Sequence, residues 1–301
     1  MVNQTVKQQE WAVASYVLND AYTDFVLSRQ AMLCSPGTMR FYKFTAGKFV
    51  EWLISNSINA PEEITSRHVR SYLAELRSRK LSDSYINCHA RAIRTLLRFF
   101  HSENYTTDLV TFKMPAIAKK RLLVLSAEEL KQVIKACTSP RDKAIVLLLA
   151  DSGIRRSELC NLNWGDVDLA TGIVRIKRGK GGKARTVVIG ANTRRTLLSY
   201  RRTIIQDDKT PLFLTKHNTR LSPRGLRSAL LRVGERASVK FTPHALRRTF
   251  ATLSLRAGMN LLQLQALLGH SSLDMTRRYV ELLDEDLLQA HNLHGPIDNY
   301  L

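Results

Sequence analysis

The sequence predicts a mainly α-helical chain of two domains: a helical bundle, then an α+β domain in which one small β-hairpin or sheet interrupts the helices. Three observations carry this. Apolar residues recur at three- and four-residue steps from about residue 14 to 102, and again from 126 onward. Between these stretches, residues 113–125 are basic and lack helical periodicity. The period switches to two at a single place, around a Gly-rich turn between 173 and 189.

The elements follow in order. Leu33-Cys34-Ser35-Pro36-Gly37 separates a first helix from a second. In the second, Phe41, Phe44, Ala46, Phe49, Trp52 and Leu53 form one apolar stripe. Pro61-Glu62-Glu63 is expected to start a third helix, and Ser82 to cap a fourth that runs to Phe100. Four helices with short connections predict a small bundle over residues 14–112. Residues 113–125, with Lys113-Met114-Pro115 and then Lys119-Lys120-Arg121, read either as a linker lying along a polyanion or as an ordinary loop. The second domain, 126–283, opens on Ser126-Ala127-Glu128-Glu129, a capping box. Helices are expected to about Leu162. A hairpin follows, with strands near Ile173–Lys177 and Thr186–Ile189 around Gly179-Lys180-Gly181-Gly182. Helices then resume through about Gln289, and 284–301 is set apart as a tail.

Forty-six Lys+Arg against 26 Asp+Glu give the 301 residues a formal charge of +20 and a pI near 10.2. Such a field attracts polyanions, so nucleic acid leads the partner classes. The excess is uneven: 16 Lys/Arg against 10 Asp/Glu in residues 1–120, and 30 against 16 thereafter. Arg67, Arg70, Arg77, Arg79, Lys80, Arg91, Arg94 and Arg98 lie on polar helix faces of the bundle. They are either solvated faces or phosphate contacts, and the total charge favours contacts. Arg67, Arg70, Arg91, Arg94, Lys119, Lys120 and Arg121 are the candidate DNA-binding residues. Cys34, Cys88, Cys137 and Cys160 are scattered, without a C-x-x-C pair, which predicts reduced thiols and no zinc site. No apolar run approaches the ~20 residues that span a bilayer. Residues 1–9 lack a signal-peptide core, so a cytoplasmic protein is expected.

Four places can carry chemistry. The apolar helix 144–150 ends at Gly153, a natural C-cap, and Arg155 follows. Taken alone, that arginine reads as a structural ion pair. Lys180 projects from the hairpin turn between two glycines. Thr242 caps a helix that has Pro243 in its first position. On it, His244 and Arg247 share one face, suited to holding an anion and moving a proton. Leu267-Leu268-Gly269-His270 ends a helix, and Ser271 to Asp274 caps another that carries Tyr279 about two turns in. Each site alone has an ordinary structural explanation.

Together and in this order, Gly153-Ile154-Arg155-x-Ser157-Glu158-Leu159, Gly179-Lys180-Gly181, His244-x-x-Arg247, and Leu267-Leu268-Gly269-His270 with Tyr279 nine residues on resemble the tyrosine recombinases, the phage-integrase and Xer-like family. The helical N-terminal half resembles, more loosely, that family's core-binding domain. Three positions depart from the pattern. Arg156 stands where an apolar residue is common, Tyr279-Val280-Glu281 replaces a frequent Tyr-x-His, and the strand before Lys180 is a residue longer. That last departure leaves Lys183 as an alternative to Lys180, which is preferred because it occupies the Gly-Lys-Gly turn. The resemblance implies site-specific recombination of double-stranded DNA through a 3′-phosphotyrosine and a Holliday junction, without cofactor, metal or ATP. Tyr279 would be the nucleophile, Arg155 and Arg247 the phosphate clamp, and Lys180 the general acid. His244 would assist proton transfer and His270 would hydrogen-bond the scissile phosphate. The resemblance also implies a homo-tetramer on two sites, or a hetero-tetramer with a second recombinase. The patch Leu287, Leu288, Ala290 and Leu293 would dock on a neighbouring subunit or on its own domain. Rival readings are a type IB topoisomerase, which shares the chemistry, a catalytically silent DNA-binding regulator, and, more distantly, a membrane-surface protein.

Overall fold

In the computed structural model the described residues are 17–117, 123–177, 184–204, 207–269, 291–292 and 297. The chain divides into two compact units, Met1–Lys120 and Arg121–Leu301.

The first unit is built on α1 (Leu18–Ala31), α2 (Pro36–Ser55), α3 (Ser66–Ser78) and α4 (Asp83–Ser102). Side-chain caps fix three of the starts: Ser35, Thr65 and Ser82 accept from the backbone N–H of Thr38, His68 and Tyr85. Pro61 does not start the third helix, as the sequence suggested. Pro61–Glu63 is a single 3-10 turn, and α3 begins five residues later under its Thr65 cap. Phe25, Phe49, Leu53, Ile93, Leu96 and Phe100 fill the core. Phe44, expected in the apolar stripe of α2, is 50% exposed and lies under the Lys48 ammonium, 4.4 Å from the ring centroid. On α4 the buried face runs through Ile86, His89, Ile93, Leu96 and Phe100, while Arg91, Arg94 and Arg98 stay exposed. His89 is fully buried; its Nδ1 meets the Tyr72 hydroxyl at 3.0 Å and its Nε2 has no partner among the described residues.

In the second unit α5 (Ala127–Lys135), α6 (Pro140–Ser152) and α7 (Arg156–Asn161) precede a hairpin of β1 (Ile173–Ile176) and β2 (Arg185–Val188). Then come α8 (Ala191–Arg201), α9 (Pro223–Ala237), α10 (Pro243–Arg256) and α11 (Leu261–Leu268). Helix α6 buries Ala144, Ile145, Val146, Leu148 and Leu149, and touches α5, α8, α9, α10 and β2. A helix apolar on every side is a core helix, and this one organises the unit. The strands pair antiparallel with Ile173 opposite Val188 and Ile176 opposite Arg185. β2 thus begins and ends one residue earlier than the alternation suggested. The shift puts Arg185 on the same inward-facing register as buried Val187, Val174 and Ile176. The backbone N–H of Leu125 donates to Thr249 Oγ1 at 2.9 Å, fastening the entry of this unit to α10.

Candidate active site

The site grows from two left-handed turns. Gly153 ends α6 at φ +58°, a conformation that favours glycine. A Cβ there would lie 2.5 Å from Phe250 Cδ1 and 2.8 Å from Leu268 Cδ2, so the turn also needs the missing side chain to let α10 and α11 approach. Gly269 ends α11 at φ +62°, and a Cβ there would meet Arg185 Cδ at 2.7 Å.

Arginines gather at the end of α11. Arg155, the N-cap residue of α7, donates from Nη1 to Glu158 Oε1 at 2.9 Å and from Nη2 to the Gly269 carbonyl at 3.0 Å. Arg247, 4% exposed on α10, donates from Nη1 to the Gly153 carbonyl and from Nη2 to the Leu268 carbonyl at 2.8 Å. Arg185 donates from Nε to the Leu267 carbonyl at 3.2 Å. Three successive carbonyls at a helix C-terminus, which lack intrahelical partners and carry the negative end of the dipole, are therefore each taken by a guanidinium. The structural ion pair expected of a lone arginine beside a buried turn is present at Arg155. Both Nη atoms of Arg155 are thus engaged by protein oxygens, Nη1 by Glu158 and Nη2 by the Gly269 carbonyl.

Glu158 is the negative group among these cations. It is 4% exposed, and its carboxylate accepts from both Nη atoms of Arg185, at 2.6 and 2.7 Å, as well as from Arg155. Its Oε2 also accepts from the Arg155 backbone N–H at 2.8 Å. Burial alone would raise its pKa; the hydrogen bonds from Arg185 and Arg155 overcome burial and hold it at about 2. His244 is the exposed residue of the otherwise buried first turn of α10, and its ring pKa is lowered from the ordinary 6.5, by desolvation first and then by the charges of Arg156, Arg248, Arg247 and Arg155. The charges of Arg155 and Arg247 are among those that lower it, which puts the ring within the fields of both clamp candidates. Arg156, the extra arginine of the sequence pattern, is the nearest in effect of those four charges.

Of the residues singled out by sequence, Arg155, His244 and Arg247 are brought together here. Lys180, His270 and Tyr279 lie outside the described residues, as do Lys119, Lys120 and Arg121. Arg67 and Arg70 on α3 and Arg91 and Arg94 on α4 are all exposed. Sequence reasoning gave no role to Glu158, though it stood in the quoted motif, and passed over Arg185. Its signal was there: a charged residue two positions before a buried valine in a strand shares that valine's face. Among the described residues no three His, Cys, Asp or Glu side chains could hold a metal ion, and no helix is long and apolar enough to cross a membrane.

Residues 123–286 match the sequence profile of the phage integrase family. The tyrosine recombinase XerA of Thermococcus kodakarensis is 34% identical over 262 residues, covering 85% of this chain and 88% of that protein. The tyrosine recombinase XerC of Oceanobacillus iheyensis is 32% identical over 285 residues, covering 88% and 92%. Among solved structures, the Tn1549 transposon integrase in complex with circular intermediate DNA superposes with a TM-score of 0.73 at 18% identity, over 91% of this chain and 99% of that one.

Proposed function

The chain belongs to the phage integrase family and is a tyrosine recombinase, an enzyme of site-specific DNA recombination, and on that premise we propose that Tyr279 is its nucleophile, served by Arg155, Lys180, His244, Arg247 and His270. The observation that carries this reading is the convergence of Arg155 and Arg247 on adjacent carbonyls of one helix end, with His244 within their fields.

The Tyr279 phenol oxygen attacks the scissile phosphorus. A P–O bond to tyrosine forms as the P–O5′ bond breaks, leaving a 3′-phosphotyrosine and a free 5′-hydroxyl. Two near-isoenergetic exchanges replace one hydrolysis, so resealing consumes no nucleotide. His244 takes the phenolic proton; Lys180 gives one to the leaving 5′-oxygen, and His270 hydrogen-bonds the phosphate. As negative charge grows on the non-bridging oxygens, Arg155 and Arg247 meet it with forked donors already oriented by protein carbonyls, so little reorganisation is required. Burial of Arg247 strengthens its interaction with that charge.

Residues 14–112 act as a core-binding arm whose exposed arginines on α3 and α4 contact phosphates. Residues 113–125 connect this arm to the catalytic domain 126–283, with Lys119, Lys120 and Arg121 along the DNA backbone. The protein works in the cytoplasm on double-stranded DNA, as a tetramer spanning two sites, homomeric or shared with a second recombinase, and its tail 284–301 supplies a subunit contact. The test is a supercoiled plasmid carrying two copies of the site that the protein footprints in the DNA flanking its own gene, incubated with EDTA. Deletion circles and four-way junction intermediates support the reading. Relaxation of any plasmid irrespective of site would favour topoisomerase action, and loss of cleavage in EDTA would overturn the metal-free mechanism.

A further inference from the structure

Arg185 is a charge in a place where strand alternation puts apolar side chains. Its side chain is 10% exposed, it sits opposite Ile176 in the hairpin, and it follows Lys180 by five positions in the sequence. Its fork closes on both oxygens of Glu158, its Nε donates to the Leu267 carbonyl, and its aliphatic stem passes where Gly269 has no side chain. One side chain thus joins β2, the start of α7 and the end of α11. From that last point the chain runs on to His270 and Tyr279. Buried ion pairs are weak contributors to stability, since desolvation offsets most of their attraction, but a bidentate pair fixes geometry closely.

The charges give the pair a second consequence. Arg155 and Glu158 alone would sum to zero, and a buried carboxylate with a single partner would draw the guanidinium away from an incoming phosphate. With Arg185 satisfying the same carboxylate, the cluster of Arg155, Arg185 and Glu158 carries a net positive charge.

We infer that Arg185 is a positioning residue for the recombination reaction: it neutralises Glu158 and pins the α11 terminus, so that Arg155 is held at fixed orientation with its charge available to the scissile phosphate. The inference rests on the reading of Arg155 as part of the phosphate clamp. Arg185 itself touches no reacting atom.

The experiment compares wild type with R185K, R185M, R185M/E158Q and R155A, each as the full chain. The probe is a nicked duplex carrying the footprinted site, and three quantities are measured: binding by mobility shift, single-turnover formation of covalent adduct at saturating protein, and Tm. A misplacement of about 1 Å at a reacting centre costs on the order of a hundredfold, so R185M is expected to slow adduct formation by about that factor with affinity within about threefold of wild type. R185K, which keeps the charge but not the fork, falls between. R185M/E158Q recovers at least about tenfold over R185M, because the unneutralised carboxylate is gone; a merely structural loss gives no such rescue. The inference is overturned if R185M cleaves at the wild-type rate, if binding and cleavage fall together in R185M and R185K, or if the double variant is no faster than R185M. R155A separates the two levels: normal cleavage by R155A would sink the clamp reading itself, whereas a dead R155A beside a normal R185M removes only the role of Arg185.

Discussion

Replacing Glu158 by glutamine probes the most heavily committed side chain of the site. The carboxylate, 4% exposed, takes two hydrogen bonds from Arg185 and one each from the Arg155 side chain and backbone. Its pKa of about 2, against 4.5 for an ordinary glutamate, corresponds to roughly 3 kcal/mol of preference for the charged form, reduced to about 2 by the solvent reaching the Arg155 end. Glutamine offers one acceptor where four bonds ended, turns an amide donor toward guanidinium donors, and leaves two arginines without their counter-charge. Removing one member of a buried pair costs about 3 kcal/mol or a little more. For a unit of this size that lowers Tm by about 6–12 °C. The assay is scanning calorimetry of wild type and E158Q from pH 7 downward. Because the folded-state pKa lies below the unfolded one, the contribution of Glu158 is fully present above 4.5 and disappears as pH falls towards 2. The two proteins should therefore converge on acidification. Equal Tm values at pH 7, or a gap that widens at low pH, would refute the reasoning.

The remaining predictions bear on other elements. Gly153→Ala combines a left-handed backbone with a Cβ 2.5 Å from the Phe250 ring, so it should destabilise by about 2–4 kcal/mol, read by urea unfolding; a cost under about 0.5 kcal/mol would contradict the packing of that turn. His89 is held at about 4 by burial and by the Lys48 charge, so its contribution to stability is complete above 6.5 and lost as pH falls through 4. H89Q should flatten the pH dependence of unfolding across that window, and parallel curves for the two proteins would show that His89 does not govern it. R91A/R94A removes two exposed cations from α4 and should lower the slope of log affinity against log salt by about 2, with Tm unchanged; an unaltered slope would take both residues off the DNA.

Much of this architecture was legible in the sequence because its signals are local. Ser126, Thr242 and Gly153 mark helix ends by cap chemistry that depends on a few neighbouring residues, and each end lies where that chemistry puts it. Pro61 misled because proline is favoured at the first position of any helical turn, a 3-10 turn included, and the Thr65 cap made the stronger start. Phe44 misled because a 3.6-residue period locates a stripe but not its edges, where a ring can lie half-exposed beneath a lysine. The order Arg155, His244, Arg247 was legible as a motif. What held these residues was not, because Glu158 and Arg185 lie 27 positions apart and Arg247 and Gly153 lie 94 apart. Pairings at such separations are set by packing around α6, and no local pattern encodes them.

The central claim is that Tyr279 becomes covalently joined to DNA under the arginine clamp. The most direct measurement traps that adduct on nicked duplexes from the DNA flanking the protein's own gene, comparing wild type with Tyr279→Phe after SDS denaturation and mapping the labelled peptide. The account predicts an adduct at Tyr279 with wild type only, while the Phe variant binds the same duplex with unchanged affinity, since it lacks just a hydroxyl. An adduct formed by the Phe variant, or a label mapping to another residue, would contradict it.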